Sequence, residues 1–85
     1  MTDIIIAPTF QAGMRYCGAN GLNYQKVVIL DTTNPVPLVL KRLQGVESGH
    51  ARVVNTHGYD KYKLPIILEA LDNHPGSFEL ETVFL

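Results

Sequence analysis

The fold of this chain is decided at residues 3–8, which read Asp-Ile-Ile-Ile-Ala-Pro. The apolar residues form an unbroken run instead of alternating with polar ones, which is typical of a strand covered on both faces. We therefore predict a central strand of a parallel sheet. Thr9 follows with a hydroxyl that can cap a helix, and Phe10, Met14 and Cys17 then recur at helical spacing.

A second strand and helix follow the first pair. Asn20 and Gly21 are expected to end the first helix, because both residue types tolerate the left-handed backbone that a helix end commonly needs. Residues 26–31 form a second apolar strand. Pro35 is suited to the first turn of a second helix, which Gly45 ends.

The third unit is less apolar. After a turn at residues 46–51, we predict a third strand over residues 52–56. Leucines and isoleucines from Leu64 to Leu71 recur at helical spacing and predict a third helix. His-Pro-Gly at residues 74–76 ends that helix.

The last segment, residues 78–85, begins with a strict alternation that predicts an edge strand with one wet face. Its two sets of side chains are Phe78, Leu80, Thr82 and Phe84 on one side, and Glu79 and Glu81 on the other. An apolar edge strand invites pairing with another chain. We therefore expect a protein partner or self-association through Phe78, Leu80 and Phe84.

These elements predict one α/β domain over residues 1–85, with the order β1-α1-β2-α2-β3-α3-β4. The four strands are expected to form a mostly parallel sheet with the helices on its faces. We favour strand order 3-2-1-4, because the two most apolar strands then lie in the middle. Order 2-1-3-4 is the alternative.

Composition excludes several classes of function. The net charge is −1, and the seven Lys and Arg residues are scattered, so nucleic-acid binding is not expected. No apolar run approaches the roughly 18 residues that a membrane span needs. The single cysteine and the absence of a secretory pattern in the first residues predict the cytoplasm.

Ligands of open parallel sheets bind at the carboxyl ends of the strands, near the point where strand order reverses. In the favoured order this point lies between β1 and β4, which places Thr9 closest to it. The polar residues predicted at these ends are Thr9, Asp31, Thr33, Asn55 and His57. They could hold a small anion at the helix starts, although capping of the helices is the simpler interpretation.

Motifs of known chemistry are missing from the strand ends. The first turn contains neither a phosphate-binding loop ending in Gly-Lys-Ser/Thr nor the G-x-G-x-x-G of a dinucleotide fold. His50, His57 and His74 do not have the spacing of metal ligands. We therefore expect no catalytic constellation, no metal site and no cofactor, and an enzyme is the less favoured interpretation.

The overall plan resembles small α/β, Rossmann-like proteins of tailed bacteriophages. The resemblance is carried by the strand at residues 4–7, the helix end at Asn20-Gly21, the strand at residues 27–30, and the Thr-Thr-Asn-Pro run at residues 32–35 leading into a helix that reaches Leu43. It implies this fold and a viral genome, with host cytoplasm as the location, and it implies no activity.

Two hypotheses of function follow. The first is a non-enzymatic accessory or protein-interaction module, with the last strand as the contact surface. The second is a small-ligand or nucleotide-like binding domain that uses the carboxyl ends of the parallel strands.

Overall fold

A four-stranded parallel sheet forms the centre of the computed structural model, which describes residues 2–54 and 62–83. In chain order, the elements in these ranges are β1 (Thr2–Ala7), α1 (Phe10–Ala19), β2 (Val28–Asp31), α2 (Val36–Gln44), β3 (Gly49–Val54), α3 (Lys63–Asp72) and β4 (Phe78–Val83). The predicted α/β class and the alternation of strands and helices are confirmed.

The strand order is β2-β1-β3-β4, and every neighbouring pair is parallel. The alternative order 2-1-3-4 is therefore confirmed, and the favoured order 3-2-1-4 is wrong. The error has a physical reason: an apolar run reports that both faces of a strand are covered, not that the strand is central. β2 is an edge strand, yet its residues pack on both faces of the sheet.

The handedness of the crossovers explains how the helices are distributed. β1 connects to β2 in one direction across the sheet, whereas β2 to β3 and β3 to β4 run in the opposite direction. Right-handed crossovers therefore place α1 on one face and α2 and α3 on the other. We call these the one-helix face and the two-helix face.

Each face has its own buried core. The core of the two-helix face includes Ile4, Ile6, Leu30, Leu43, Val53 and Ile67. The core of the one-helix face consists of Ile5, Ala7, Tyr16, Cys17, Ile29 and Val54. β1 contributes to both cores, and its residues 4–7 are completely buried.

Helix α1 begins and ends as its sequence predicts, but it presents a different stripe to the sheet. The Thr9 hydroxyl accepts a hydrogen bond from the Ala12 amide, and Gly21 follows the helix with a φ of 69°. The buried residues are Gly13, Tyr16 and Cys17, whereas Phe10 is 42% exposed. Gly13 allows the close approach: a Cβ there would lie 2.8 Å from Ile29 Cγ2.

Strand β3 begins at Gly49, three residues before the predicted start at Arg52, so the predicted turn at residues 46–51 is too long. Gly49, one of the Gly and Ser residues that predicted a turn, is instead the first residue of the strand. Gly49 lies opposite β1 at a point where a Cβ would collide with the Thr2 carbonyl group. The end predicted for this strand, residues 55–56, lies outside the described residues.

No helix within residues 2–54 and 62–83 is long and apolar enough to cross a lipid bilayer.

The tight contact at Gly49 gives a test of the sheet register. Gly49→Ala should lower the free energy of unfolding by about 1–3 kcal/mol, because the added methyl group meets backbone that cannot move aside. The matched control is Gly18→Ala at an exposed position of α1, where nothing lies within 4 Å of the new Cβ. This change should stabilise the protein by up to about 1 kcal/mol. Denaturant titrations measure both, and equal stabilities would contradict the register.

Candidate functional site

In open parallel sheets, ligands bind at the carboxyl ends of the strands. The observed order moves the reversal point from the expected position between β1 and β4 to the gap between β1 and β3. Thr9 follows β1, and Asp31 and Thr33 lie at the end of β2. Asn55 and His57 lie outside the described residues.

Asp31 is the centre of the loop that follows β2. Its side chain is nearly buried, with the residue 4% exposed. The Oδ1 atom accepts hydrogen bonds from the Thr33 hydroxyl at 2.9 Å, the Asn34 amide at 3.1 Å and the Asn34 side-chain amide at 2.6 Å. The carboxylate therefore holds the turn into α2 and binds Thr33. Thr9 is not part of this turn and caps α1 instead.

Hydrogen bonds of Thr32 and Lys63 connect this loop to the rest of the strand ends. Thr32 donates its hydroxyl to the Pro8 carbonyl at 3.2 Å and its amide to the Ala7 carbonyl at 3.1 Å. Lys63 at the start of α3 donates to the Thr32 carbonyl at 3.0 Å. Sequence patterns did not reveal Lys63, because its partner is a main-chain carbonyl about thirty positions away along the chain. The described polar groups at the strand ends thus hold loops together.

The β2 edge of the sheet is covered by a side chain. Arg42 of α2 reaches back to this edge, where its Nη1 atom donates to the Ile29 carbonyl at 2.8 Å. Beside this contact is a cleft of about 370 Å³ whose lining includes the exposed Leu38 and the Lys41 side chain. An unpaired carbonyl of an edge strand is thereby satisfied within the chain.

The β4 edge differs, and the pairing with β3 shows which of its backbone groups are unpaired. The Gly49 amide donates to the Ser77 carbonyl at 3.1 Å, so Ser77 faces β3. Backbone groups alternate in direction along a strand, so Phe78, Leu80 and Thr82 direct their N–H and C=O groups away from β3. Within residues 2–54 and 62–83, no side chain hydrogen-bonds to these outward groups.

The side chains of β4 differ between the two faces. Leu80 lies on the two-helix face, is 52% exposed and borders a cleft of about 200 Å³ with Leu68 of α3. Glu79 and Glu81 lie on the one-helix face and are exposed, as the alternation predicted. Phe78 is partly buried against the core of the two-helix face, and Phe84 lies outside the described residues.

A charged cluster lies on the one-helix face beside α1. Arg52 Nη1 lies 3.1 Å from Asp3 Oδ1, and Arg52 Nε lies 3.1 Å from Glu81 Oε1. His50 Nε2 lies 3.3 Å from the same Glu81 oxygen. Sequence patterns did not reveal this cluster, because its members come from β1, β3 and β4. Helix α1 packs mainly over β1 and β2, and among the described residues of this cluster Glu81 is the most exposed.

Cys17 lies in the core of the one-helix face and is 1% exposed. Burial raises the pKa of its thiol, and the Asp3 carboxylate raises that pKa further. Within residues 2–54 and 62–83, no three His, Cys, Asp or Glu side chains come close enough together to hold a metal ion.

No family model, curated protein or solved structure matches this chain.

Substitution of Asp31 tests whether its carboxylate is structural. Asp31→Ala should lower the free energy of unfolding by about 1–2 kcal/mol, because it removes the acceptor of the turn. Asp31→Asn keeps one acceptor oxygen and should lose less stability than Asp31→Ala. Thermal and denaturant unfolding measure both variants, and an unchanged or higher stability of Asp31→Ala would indicate a carboxylate kept for a ligand.

The Cys17 thiol should react slowly with an aromatic disulfide reagent at neutral pH. The thiolate is the nucleophile, and a buried thiol with a raised pKa supplies little of it. The reaction rate should rise when denaturant unfolds the protein, in step with loss of helical circular dichroism. Complete reaction of the folded protein within seconds would contradict the burial of Cys17.

Proposed function

We propose that this chain is a non-enzymatic protein-interaction module that binds an extended segment of a partner along β4. The partner segment adds a fifth strand to the sheet, and the chain acts as an accessory to that partner. One observation carries this proposal: the sheet has two edges, and only the β2 edge is covered by a described side chain.

The contrast between the edges supports this use. An uncovered edge strand exposes backbone donors and acceptors that pair readily with another chain, and proteins commonly cover or shorten such edges. β2 is a strand of four residues, and Arg42 binds its Ile29 carbonyl. β4 has six residues, and Phe78, Leu80 and Thr82 direct their backbone groups outward. Main-chain pairing supplies affinity in strand addition, and side chains supply specificity.

The ligand-binding alternative has less support. Thr9 caps α1, and the Thr33 hydroxyl donates a hydrogen bond to Asp31 within the loop before α2. A ligand at these positions would have to displace hydrogen bonds that hold the loops. The geometry of the described strand ends therefore favours the capping interpretation over an anion site.

The setting we propose is the cytoplasm, and the resemblance to tailed-phage proteins would make it the cytoplasm of an infected host cell. The free cysteine supports a reducing compartment, where thiols persist without pairing.

A proline substitution tests strand addition directly. Thr82→Pro removes an outward N–H and places a ring on the edge, while the bonds to β3 come from the neighbouring residues. Peptides selected from a displayed library of short random sequences should bind Thr82→Pro about tenfold more weakly or worse. Thr82→Val is the matched control and should bind as the natural chain does, because its backbone donor is intact.

Circular dichroism and the thermal midpoint confirm that Thr82→Pro is folded before binding is compared. A library that yields no binder, or binders that Thr82→Pro does not weaken, would contradict strand addition at β4.

A further inference from the structure

We propose that the strand added at β4 alternates basic and apolar residues, with the basic side chains lying over the one-helix face. This inference rests on the proposed function, and it adds the chemistry by which the partner is recognised. It follows from what the two faces of β4 present to a neighbouring strand.

On the two-helix face, the incoming strand meets an apolar surface. Leu80 is 52% exposed at the centre of β4. The cleft of about 200 Å³ between β4 and α3 is lined by Leu68, Leu71 and Phe78 as well, together with Asp72 and Gly76. Side chains of a fifth strand that point to this face would cover Leu80 and enter this cleft, so every second residue of the partner is apolar.

On the one-helix face, the same strand meets negative charge. Glu79 is exposed and makes no ion pair with any residue in the described ranges. Glu81 shares Arg52 with Asp3, so two carboxylates lie beside one guanidinium, and His50 adds positive charge only when protonated. Directly opposite residues of paired strands have Cβ atoms about 5 Å apart, within reach of an ion pair. Lys or Arg residues opposite Glu79 and Glu81 therefore match this surface.

The same charges disfavour a second copy of this chain as the occupant. A two-fold antiparallel pairing centred on Leu80 would place Glu79 of each copy directly opposite Glu81 of the other. Like charges in directly opposite positions destabilise a strand pair. A head-to-tail pairing of the β4 edge of one copy with the β2 edge of the next would not close on itself and would continue as a filament. A basic partner strand removes the repulsion that self-association creates.

The test uses three synthetic peptides of equal length in which valine alternates with lysine, threonine or glutamate. Binding to the full chain is measured by fluorescence anisotropy at low salt. The lysine peptide should bind about fivefold or more tightly than the threonine peptide, because two cross-strand ion pairs are added. The glutamate peptide should bind more weakly than either.

Two matched variants locate the charge effect. Glu79→Gln should reduce the preference for lysine over threonine, since it removes the carboxylate of β4 that makes no ion pair with another described residue. Glu69→Gln makes the same change in net charge on the exposed surface of α3, on the other face of the sheet, and should leave the preference intact. Both substitutions are conservative at exposed positions, so the fold should persist.

The outcomes separate this inference from the proposed function. Equal binding of the lysine and threonine peptides, with both weakened by Thr82→Pro, would overturn the basic partner and leave strand addition standing. Binding of the lysine peptide that Thr82→Pro does not affect would show general charge attraction and overturn both. Absence of binding by all three peptides would overturn both as well. Dimers in sedimentation velocity at micromolar concentration would instead favour a second copy as occupant.

Discussion

The complete burial of β1 is the constraint on which the rest of this structure depends. Residues 4–7 are inaccessible to solvent and pack into the cores of both faces. A strand that is apolar on both sides needs helices on both sides. Right-handed crossovers then place α1 alone on one face and α2 with α3 on the other. With one helix for four strands, α1 packs mainly over β1 and β2 and also reaches Val54 of β3, whereas Glu79 and Glu81 of β4 on the same face are exposed.

Much of the fold could be predicted from the sequence because local signals determine it. The apolar run before Pro8, the cap at Thr9 and the helix end at Asn20 each act over a few residues. Strand order, in contrast, is not determined by signals within a few residues of sequence. The apolar character of β2 reports its two covered faces, and it led to the wrong position in the sheet. The start of β3 was misplaced because Gly49 is selected by crowding against Thr2, a contact across the sheet.

The candidate site was predictable only in part, for the same reason. The alternation after Gly76 correctly indicated an edge strand with Glu79 and Glu81 facing solvent. The cluster around Arg52 could not be found, because it assembles from three strands that are distant in the chain. The covering of the β2 edge by Arg42 was equally hidden. Such contacts between residues distant in the chain decide which edge is covered by a described side chain, and hence at which edge the proposed partner strand would add.

Amide hydrogen exchange along β4 is the most direct test of an uncovered edge. In the free protein, the amides of Glu79 and Glu81 should exchange slowly because they bond to β3, and those of Leu80 and Thr82 should exchange quickly. Addition of a bound peptide strand should slow exchange at Leu80 and Thr82 selectively. Equal protection of all four amides in the free protein, or no change on peptide binding, would contradict an open β4 edge.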